Sequence, residues 1–110
     1  MENEIKALTD AINRFTEERD WDQFHNPKDL AIAISLEASE LLEAFLWKKP
    51  EEAKIEKIKE ELADVINHSL LLASKYDLDV YQIVMDKLRR NSEKYPVEKA
   101  KGSAKKYNEL

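Results

Sequence analysis

The sequence contains no cysteine, so disulfides, zinc–thiolate sites and thiol nucleophiles are excluded. A metal ion bound by this chain must therefore be held by oxygen or imidazole ligands. The absence of cysteine also fits a reducing compartment.

Glycine and proline, the two strongest turn formers, are also scarce. Glycine occurs once, at Gly102, and proline three times, at Pro27, Pro50 and Pro96. The alternating β-branched patterns that indicate strands are missing as well. Long segments without turn signals favour helices.

Long hydrophobic runs are absent too, since no stretch reaches the ~20 apolar residues that a bilayer span requires. Residues 1–10 carry charges where a signal peptide would be apolar, so we expect a cytoplasmic protein without membrane contact. The formal net charge of −5 disfavours nucleic acid as a partner. Positive charge is concentrated only in the tail, at Lys99, Lys101, Lys105 and Lys106.

Apolar residues recur every three or four positions along four segments, which predicts four amphipathic helices. Asn26 and Asp79 are candidate N-caps for two of them. The predicted helices run from about Glu2 to Arg19, Pro27 to Trp47, Glu51 to Lys75, and Asp79 to a point before Pro96. This pattern indicates an all-α four-helix bundle over residues 1–97, followed by an extended or partly ordered Lys-rich tail, residues 98–110.

Two pairs of acidic residues stand out on the second and third predicted helices. Glu37 and Glu40 are three residues apart, as are Glu61 and Asp64, so each pair shares one helix face. Acidic residues are frequent in this chain, and such pairs also occur on ordinary solvated faces. However, no Lys or Arg lies between Leu30 and Trp47 or between Glu61 and Ser74, although the stretches 54–59 and 87–94 mix both signs. Acids without cationic partners repel one another, which favours a bound cation.

These residues resemble a known family. Glu37-x-x-Glu40, a gap of twenty residues and Glu61-x-x-Asp64 look like the signature of the MazG-like all-α nucleotide pyrophosphohydrolases, closest to their dCTP pyrophosphatase branch. The resemblance extends over about residues 15–102. It includes the segments Arg19–His25, Phe45–Trp47 and Asn91–Pro96.

The resemblance implies a fold, an activity and a cofactor. It implies the all-α NTP pyrophosphatase fold and Mg²⁺-dependent hydrolysis of (deoxy)nucleoside triphosphates to the monophosphate and pyrophosphate. Glu37, Glu40, Glu61 and Asp64 would hold Mg²⁺, or Mn²⁺ in its place, and Glu37 or Glu40 would accept a proton from the attacking water. Candidate substrates are dCTP and modified dCTP, and the implied cellular role is the removal of noncanonical nucleotides.

The resemblance also implies which residues bind the substrate. Lys87, Asn91, Lys94 and Tyr95 correspond to phosphate contacts, although a solvated helix end would have similar composition. Trp21, His25 and Trp47 correspond to aromatic residues around the base and sugar, although aromatics beside loops usually pack in a core. His68 stands where the dCTP branch often has tyrosine. It would contact a metal ligand, contact a phosphate, or be a hydrogen-bonded core histidine.

Two other functions compete with hydrolysis. A di-metal carboxylate oxidase would use Glu-x-x-His motifs, but neither His25 nor His68 follows a glutamate by three residues. A non-enzymatic interaction module would have solvated acidic faces and apolar helices paired with a partner chain. In either case the apolar second and third helices predict a homo-oligomer with a homodimer as its minimum unit. The resemblance also implies a dimer, since family members are dimers and some of them pair further into tetramers.

Overall fold

The computed structural model describes residues 3–110, so Met1 and Glu2, where the first predicted helix begins, lie outside the described residues. Every regular element between residues 3 and 110 is helical, and the prediction of an all-α fold is confirmed. The α-helices are α1 (Glu4–Glu18), α2 (Pro27–Glu43), α3 (Ile55–Lys75), α4 (Val80–Lys94) and the short α5 (Val97–Ala100). Within residues 3–110, no helix combines the length and apolarity that crossing a membrane requires.

The chain divides into two compact units, Met1–Leu78 and Asp79–Leu110. In the first unit, α2 packs along α3, and α1 packs against α3. Leu30 of α2 is the most deeply buried large side chain, with 1% of its surface exposed, and Leu70 and Leu71 of α3 are also buried. The side-chain amide of Asn13 on α1 donates to the hydroxyl of Ser74 on α3 at 3.1 Å. The core of this unit is therefore centred on α3.

The two predicted N-cap residues, Asn26 and Asp79, cap their helices in the structure. The side chain of Asn26 accepts a hydrogen bond from the backbone N–H of Asp29, and Pro27 occupies the first turn of α2. The side chain of Asp79 likewise accepts from Gln82 N at the start of α4. These caps place the first turns of α2 and α4.

The predicted bounds of α2 and α3 were wrong at the connection between them. α2 ends at Glu43 rather than Trp47. After Glu43 the backbone N–H groups donate to carbonyl oxygens three residues earlier instead of four, and Trp47 adopts a positive φ of 62°. Residues Pro50–Glu52 form a 3₁₀ turn, so α3 begins at Ile55 rather than Glu51. The sequence does not signal this turn, because the segment contains no glycine and a positive φ is uncommon for a residue such as tryptophan.

In the second unit, the residues after α4 return to the end of that helix. A 3₁₀ turn at Tyr107–Glu109 brings the Tyr107 ring edge-on to Tyr95, with ring centroids 6.1 Å apart. The Nζ of Lys94 lies 4.9 Å from the centroid of the Tyr107 ring. The proposed boundary at residue 97 stays a prediction.

Candidate active site

Three acidic side chains from α2 and α3 converge in the first unit. One carboxylate oxygen from each of Glu37, Glu61 and Asp64 lies within 4.8 Å of the others. Each is placed by the spacing of its own helix, and the packing of α2 along α3 brings the two helices together. The arrangement offers oxygen ligands of the kind that hard divalent cations prefer.

Glu61 is the most buried member of the group, with 4% of the residue exposed. Its Oε1 accepts a hydrogen bond from Lys57 Nζ at 2.8 Å, one helical turn earlier. This hydrogen bond holds the pKa of Glu61 below its usual value, against the opposing effect of burial. Glu61 is therefore ionised and negatively charged at neutral pH.

The remaining oxygens of the group are incompletely satisfied. Glu37 Oε2 and Glu61 Oε2 are both buried and have no hydrogen-bond partner among residues 3–110. A buried carboxylate oxygen without a partner costs free energy, and native structures contain few of them. A divalent cation would satisfy both oxygens, so the residues present fit a metal ion.

Glu40 lies outside the three-residue group but interacts with it. A hydrogen bond that protonated Glu40 can donate to Glu61, together with the negative charges of Glu37 and Glu61, raises the pKa of Glu40 to about 7. Glu40 is therefore partly protonated near neutral pH, while Lys57 keeps Glu61 ionised. Closely spaced acidic side chains of this kind are expected at a cation-binding site that holds no cation.

Within residues 3–110 the cation-ligand cluster includes no histidine, unlike the set that a di-metal oxidase would use.

A cavity of about 420 Å³ lies in the same unit, and its walls are mostly apolar. Asp64 belongs both to the acidic group and to this cavity wall. The predicted substrate residues Trp21, His25 and His68 also line it. The other lining residues are Leu8, Ala11, Ile12, Phe15, Thr16, Asn67 and Leu71. A mostly apolar cavity with a few polar groups is typical of a small-molecule site.

The two histidines of the cavity differ in their hydrogen bonding. His68 Nδ1 lies 2.8 Å from the backbone oxygen of Asp64. Because a carbonyl oxygen only accepts, this nitrogen carries a hydrogen and donates it, and Nε2 of the ring takes no part in this bond. His25 Nδ1 is buried and has no partner among residues 3–110. Both rings therefore have a polar atom available for a ligand.

The loop between α1 and α2 places Trp21 and His25. The backbone N–H of Trp21 donates to Thr16 O at 2.9 Å, and its ring packs edge-on against Phe15 at 5.7 Å between centroids. Asp22 in the same loop forms an ion pair with Lys75 at the end of α3. The loop is thus attached to both α1 and α3.

The remaining predicted residues lie elsewhere. Trp47 is 99% exposed and does not line the cavity. Lys87, Asn91, Lys94 and Tyr95 lie on or directly after α4 in the second unit, and the spacing of the first three places them on one helix face. Their assigned roles stay predictions.

Sequence reasoning missed two residues of this site. Lys57 lies in the mixed-charge stretch 54–59, but its position four residues before Glu61 signals an ion pair on one helix face. Asn67 lines the cavity three residues after Asp64, a spacing that also placed it on that face.

Comparison with known proteins decides the family. The sequence model of the MazG-like family matches residues 32–110. The chain belongs to the MazG-like family. The match covers Glu37, Glu40, Glu61 and Asp64 of this MazG-like chain, and it extends through the tail.

Individual relatives agree with the family match. This MazG-like chain is 38% identical to dCTP pyrophosphatase 1 of Mus musculus over 104 residues and 37% identical to that of Homo sapiens over 106 residues, covering 87% of the chain in each case. It spans 61% of the length of each of these relatives. A crystal structure of a pyrophosphatase from Archaeoglobus fulgidus superimposes with a TM-score of 0.81 at 32% identity, covering 87% of this chain and 95% of that one.

Proposed function

We propose that this chain hydrolyses nucleoside triphosphates to the nucleoside monophosphate and pyrophosphate, using Mg²⁺ or Mn²⁺. The observation that carries the proposal is the position of Asp64, which joins the acidic group to the cavity. A nucleotide in the cavity would have its phosphates beside the carboxylates. The names of the related pyrophosphatases, dCTP pyrophosphatase among them, support this reaction and suggest dCTP or a modified dCTP as substrate.

Glu37, Glu61 and Asp64, with Glu40 beside them, are the residues that would hold the metal ions. When bound, such ions neutralise phosphate charge and lower the pKa of a coordinated water. The protein contributes a fixed set of oxygens, two of which are buried without other partners. The ion pair with Lys57 keeps one ligand, Glu61, ionised before any cation arrives.

Either Glu37 or Glu40 serves as the proton acceptor for the attacking water. Glu40 has a pKa of about 7 in the metal-free protein, so its carboxyl gains or loses a proton near neutral pH. A bound cation would lower this pKa and leave Glu40 as a carboxylate, the form in which a general base accepts a proton. Glu37 is the alternative because one of its oxygens is buried and unpartnered.

The cavity binds the base and sugar, with Trp21, His25 and His68 in contact with them. The Trp21 ring offers a stacking surface, while His25 and His68 offer polar atoms. Lys87, Asn91, Lys94 and Tyr95 bind the phosphates. Trp47 contacts substrate from a position that is exposed in the single chain.

The protein acts as a homo-oligomer, with a homodimer as the minimum unit and a tetramer as the alternative. Support comes from α2, where Ile32, Leu36 and Leu42 are 48%, 60% and 59% exposed. Apolar surface of this kind marks an interaction site. Its biological role would be the removal of noncanonical nucleotides in the cytoplasm, without nucleic acid or membrane partners.

The same exposed apolar residues favour a second candidate, a helical interaction module without activity. Metal binding separates the two candidates. A protein that binds Mg²⁺ in its native state is stabilised by the ion through mass action, whereas a module with merely solvated acids is not.

The test of the proposal is release of monophosphate and pyrophosphate from a panel of canonical and modified nucleoside triphosphates, with Mg²⁺ present and with it chelated. Equimolar products are expected only with Mg²⁺. Glu61→Gln should lower kcat/KM by about 100-fold or more, as loss of a major charge-stabilising group does. Glu60→Gln is the matched control, because this exposed neighbour lies outside the acidic group.

Absence of turnover across the panel, together with thermal stability that Mg²⁺ does not change, would contradict the proposal and favour the interaction module. Equal activity of Glu61→Gln and Glu60→Gln would contradict the metal-ligand assignment alone.

A further inference from the structure

One stripe of α3 forms a wall of the cavity. Asp64, His68 and Leu71 line the cavity and follow one another at intervals of four and three residues. Such intervals keep side chains on one helix face. Lys75 comes four residues after Leu71, in the last turn of α3, and therefore continues the same stripe beyond the cavity-lining residues.

The loop between α1 and α2 also contributes to the cavity lining. Trp21 and His25 line the cavity, and Asp22 lies between them in the chain. Asp22 forms its ion pair with Lys75. The pair therefore joins the loop that carries two lining residues to the helix that carries four others.

This contact differs from an ordinary surface pair because one partner is largely buried. The Lys75 side chain is 23% exposed and the Asp22 side chain 66% exposed. The hydrogen bond from Lys75, together with its positive charge, also holds the pKa of Asp22 below its usual value. Asp22 is thus ionised at neutral pH and able to pair with Lys75.

The loop has few other polar attachments to the rest of its unit. Trp21 is bonded to α1 through Thr16, and the Gln23 amide bonds Asp20 within the loop. Among the described residues, the Asp22–Lys75 pair is the side-chain polar contact that joins this loop to α3. Without it, the loop would remain attached to α1 but not to the α3 wall.

We propose that Lys75 is a positioning residue whose ion pair with Asp22 holds Trp21 and His25 against α3 and so maintains the nucleoside cavity. The inference rests on the proposed function only in taking the base and sugar to occupy that cavity. The pair acts on substrate affinity rather than on the chemical step, because neither partner belongs to the acidic group. Its loss widens the distribution of loop positions and raises KM more than it lowers kcat.

The experiment combines two measurements on Asp22→Asn and Lys75→Met. Methionine keeps most of the aliphatic stem of lysine, so Lys75→Met removes the charge with little loss of packing. The first measurement is acrylamide quenching of Trp21 fluorescence without substrate, in a Trp47→Phe background that leaves Trp21 as the single tryptophan. The second is the KM and kcat of nucleoside triphosphate hydrolysis in the otherwise unaltered protein.

Both substitutions are expected to increase the quenching of Trp21. They should raise KM by up to about fivefold, the factor that a partly exposed ion pair can contribute, with kcat nearly unchanged. The reversed pair, Asp22→Lys with Lys75→Asp, should restore both quantities toward the original values. If the charge-reversed double variant restores both the quenching and the KM, the ion pair positions the loop, because a general loss of protein stability would not be repaired by exchanging the two charges.

Lys6→Met is the matched control, because Lys6 forms an exposed ion pair with Asp10 on α1, at 3.3 Å, and neither residue lines the cavity. Quenching of Trp21 in Asp22→Asn and Lys75→Met equal to that in Lys6→Met would overturn the inference. If the unaltered protein hydrolyses no nucleotide, the proposed function fails, and the quenching result still decides whether the pair positions the loop.

Discussion

Lys57 Nζ lies 2.8 Å from Glu61 Oε1, so the most buried acid of the site is paired with a cation from its own helix. Only one oxygen of Glu61 is used in this contact, and Oε2 remains buried without a partner. The ion pair therefore compensates part of the negative charge of the acidic group. The remainder is available to a metal ion, and binding of such an ion would link the stability of the protein to metal occupancy.

Replacing Lys57 should make the protein more dependent on its metal. Lys57→Met removes the cation that keeps Glu61 ionised, so the thermal midpoint of the metal-free protein is expected to fall. Mg²⁺ should restore the midpoint and produce a larger increase than in the unaltered protein, because the ion then compensates more charge. Thermal unfolding with chelator and with Mg²⁺ measures both effects.

Lys59→Met is the control for this prediction, since Lys59 pairs at 3.5 Å with Glu56 and both side chains are well exposed. Exposed pairs contribute little to stability. An equal Mg²⁺-induced increase in Lys57→Met and Lys59→Met would argue against the link between Lys57 and the metal site.

The raised pKa of Glu40 predicts how stability depends on pH without metal. In the folded protein the pKa is about 7, against an ordinary value of 4.5. The folded state therefore binds more protons than the unfolded state within this window. It follows that the free energy of unfolding contributed by Glu40 falls as pH rises from about 4.5 to about 7. The lowered pKa of Glu61 acts in the opposite direction, but at pH values near and below its ordinary value of 4.5.

Urea unfolding in chelator, at pH values across that window, measures the dependence. Glu40→Gln should flatten the decline because the titrating group is gone, while Glu43→Gln, an exposed acid one turn further along α2, should leave it unchanged. Added Mg²⁺ should bind more tightly as pH rises, because the ion and the proton compete for the same acids. A decline that persists in Glu40→Gln would assign the titration to another group.

Sequence periodicity predicted the four long helices and the caps at Asn26 and Asp79, because both depend on interactions within a few residues. It also predicted which acids share a helix face. Two features could not be read in this way. The turn at Trp47 depends on a positive φ that the local composition does not signal, and the convergence of Glu37 with Glu61 depends on how α2 packs along α3. Tertiary packing settles the second of these features.

The packing of α2 predicts a contrast between two leucines on that helix. Leu30 is 1% exposed, so Leu30→Ala should lower the free energy of unfolding by about 2 to 5 kcal/mol through lost burial and a residual cavity. Leu36 is 60% exposed in the single chain. Leu36→Ala should therefore act mainly on self-association, and its effect should depend on protein concentration.

Urea unfolding at two protein concentrations, with sizing chromatography alongside, distinguishes the two effects. A loss of stability in Leu36→Ala that is as large as that in Leu30→Ala and independent of concentration would contradict an interface at this face. Strictly monomeric elution of the unaltered protein at micromolar concentration would contradict the dimer.

The contacts of Tyr107 predict that the tail contributes to substrate binding. Its ring lies against Tyr95 and beside Lys94 Nζ, two residues proposed to bind phosphate. Tyr107→Ala should raise KM by about two- to fivefold, which corresponds to the loss of one exposed cation–π contact, and should change kcat little. Tyr107→Phe keeps the ring and should retain the original KM. Steady-state kinetics with a single nucleotide measures both.

Tyr81→Ala provides the control for the tail, because this exposed tyrosine in the first turn of α4 takes no part in the aromatic and cation–π contacts of Tyr107. If Tyr107→Ala and Tyr81→Ala share the original KM, the tail does not support phosphate binding, and residue 97 marks a functional boundary as well as a compositional one. If only Tyr107→Ala raises KM, the active unit extends past residue 97. That result would agree with the family match, which continues to residue 110.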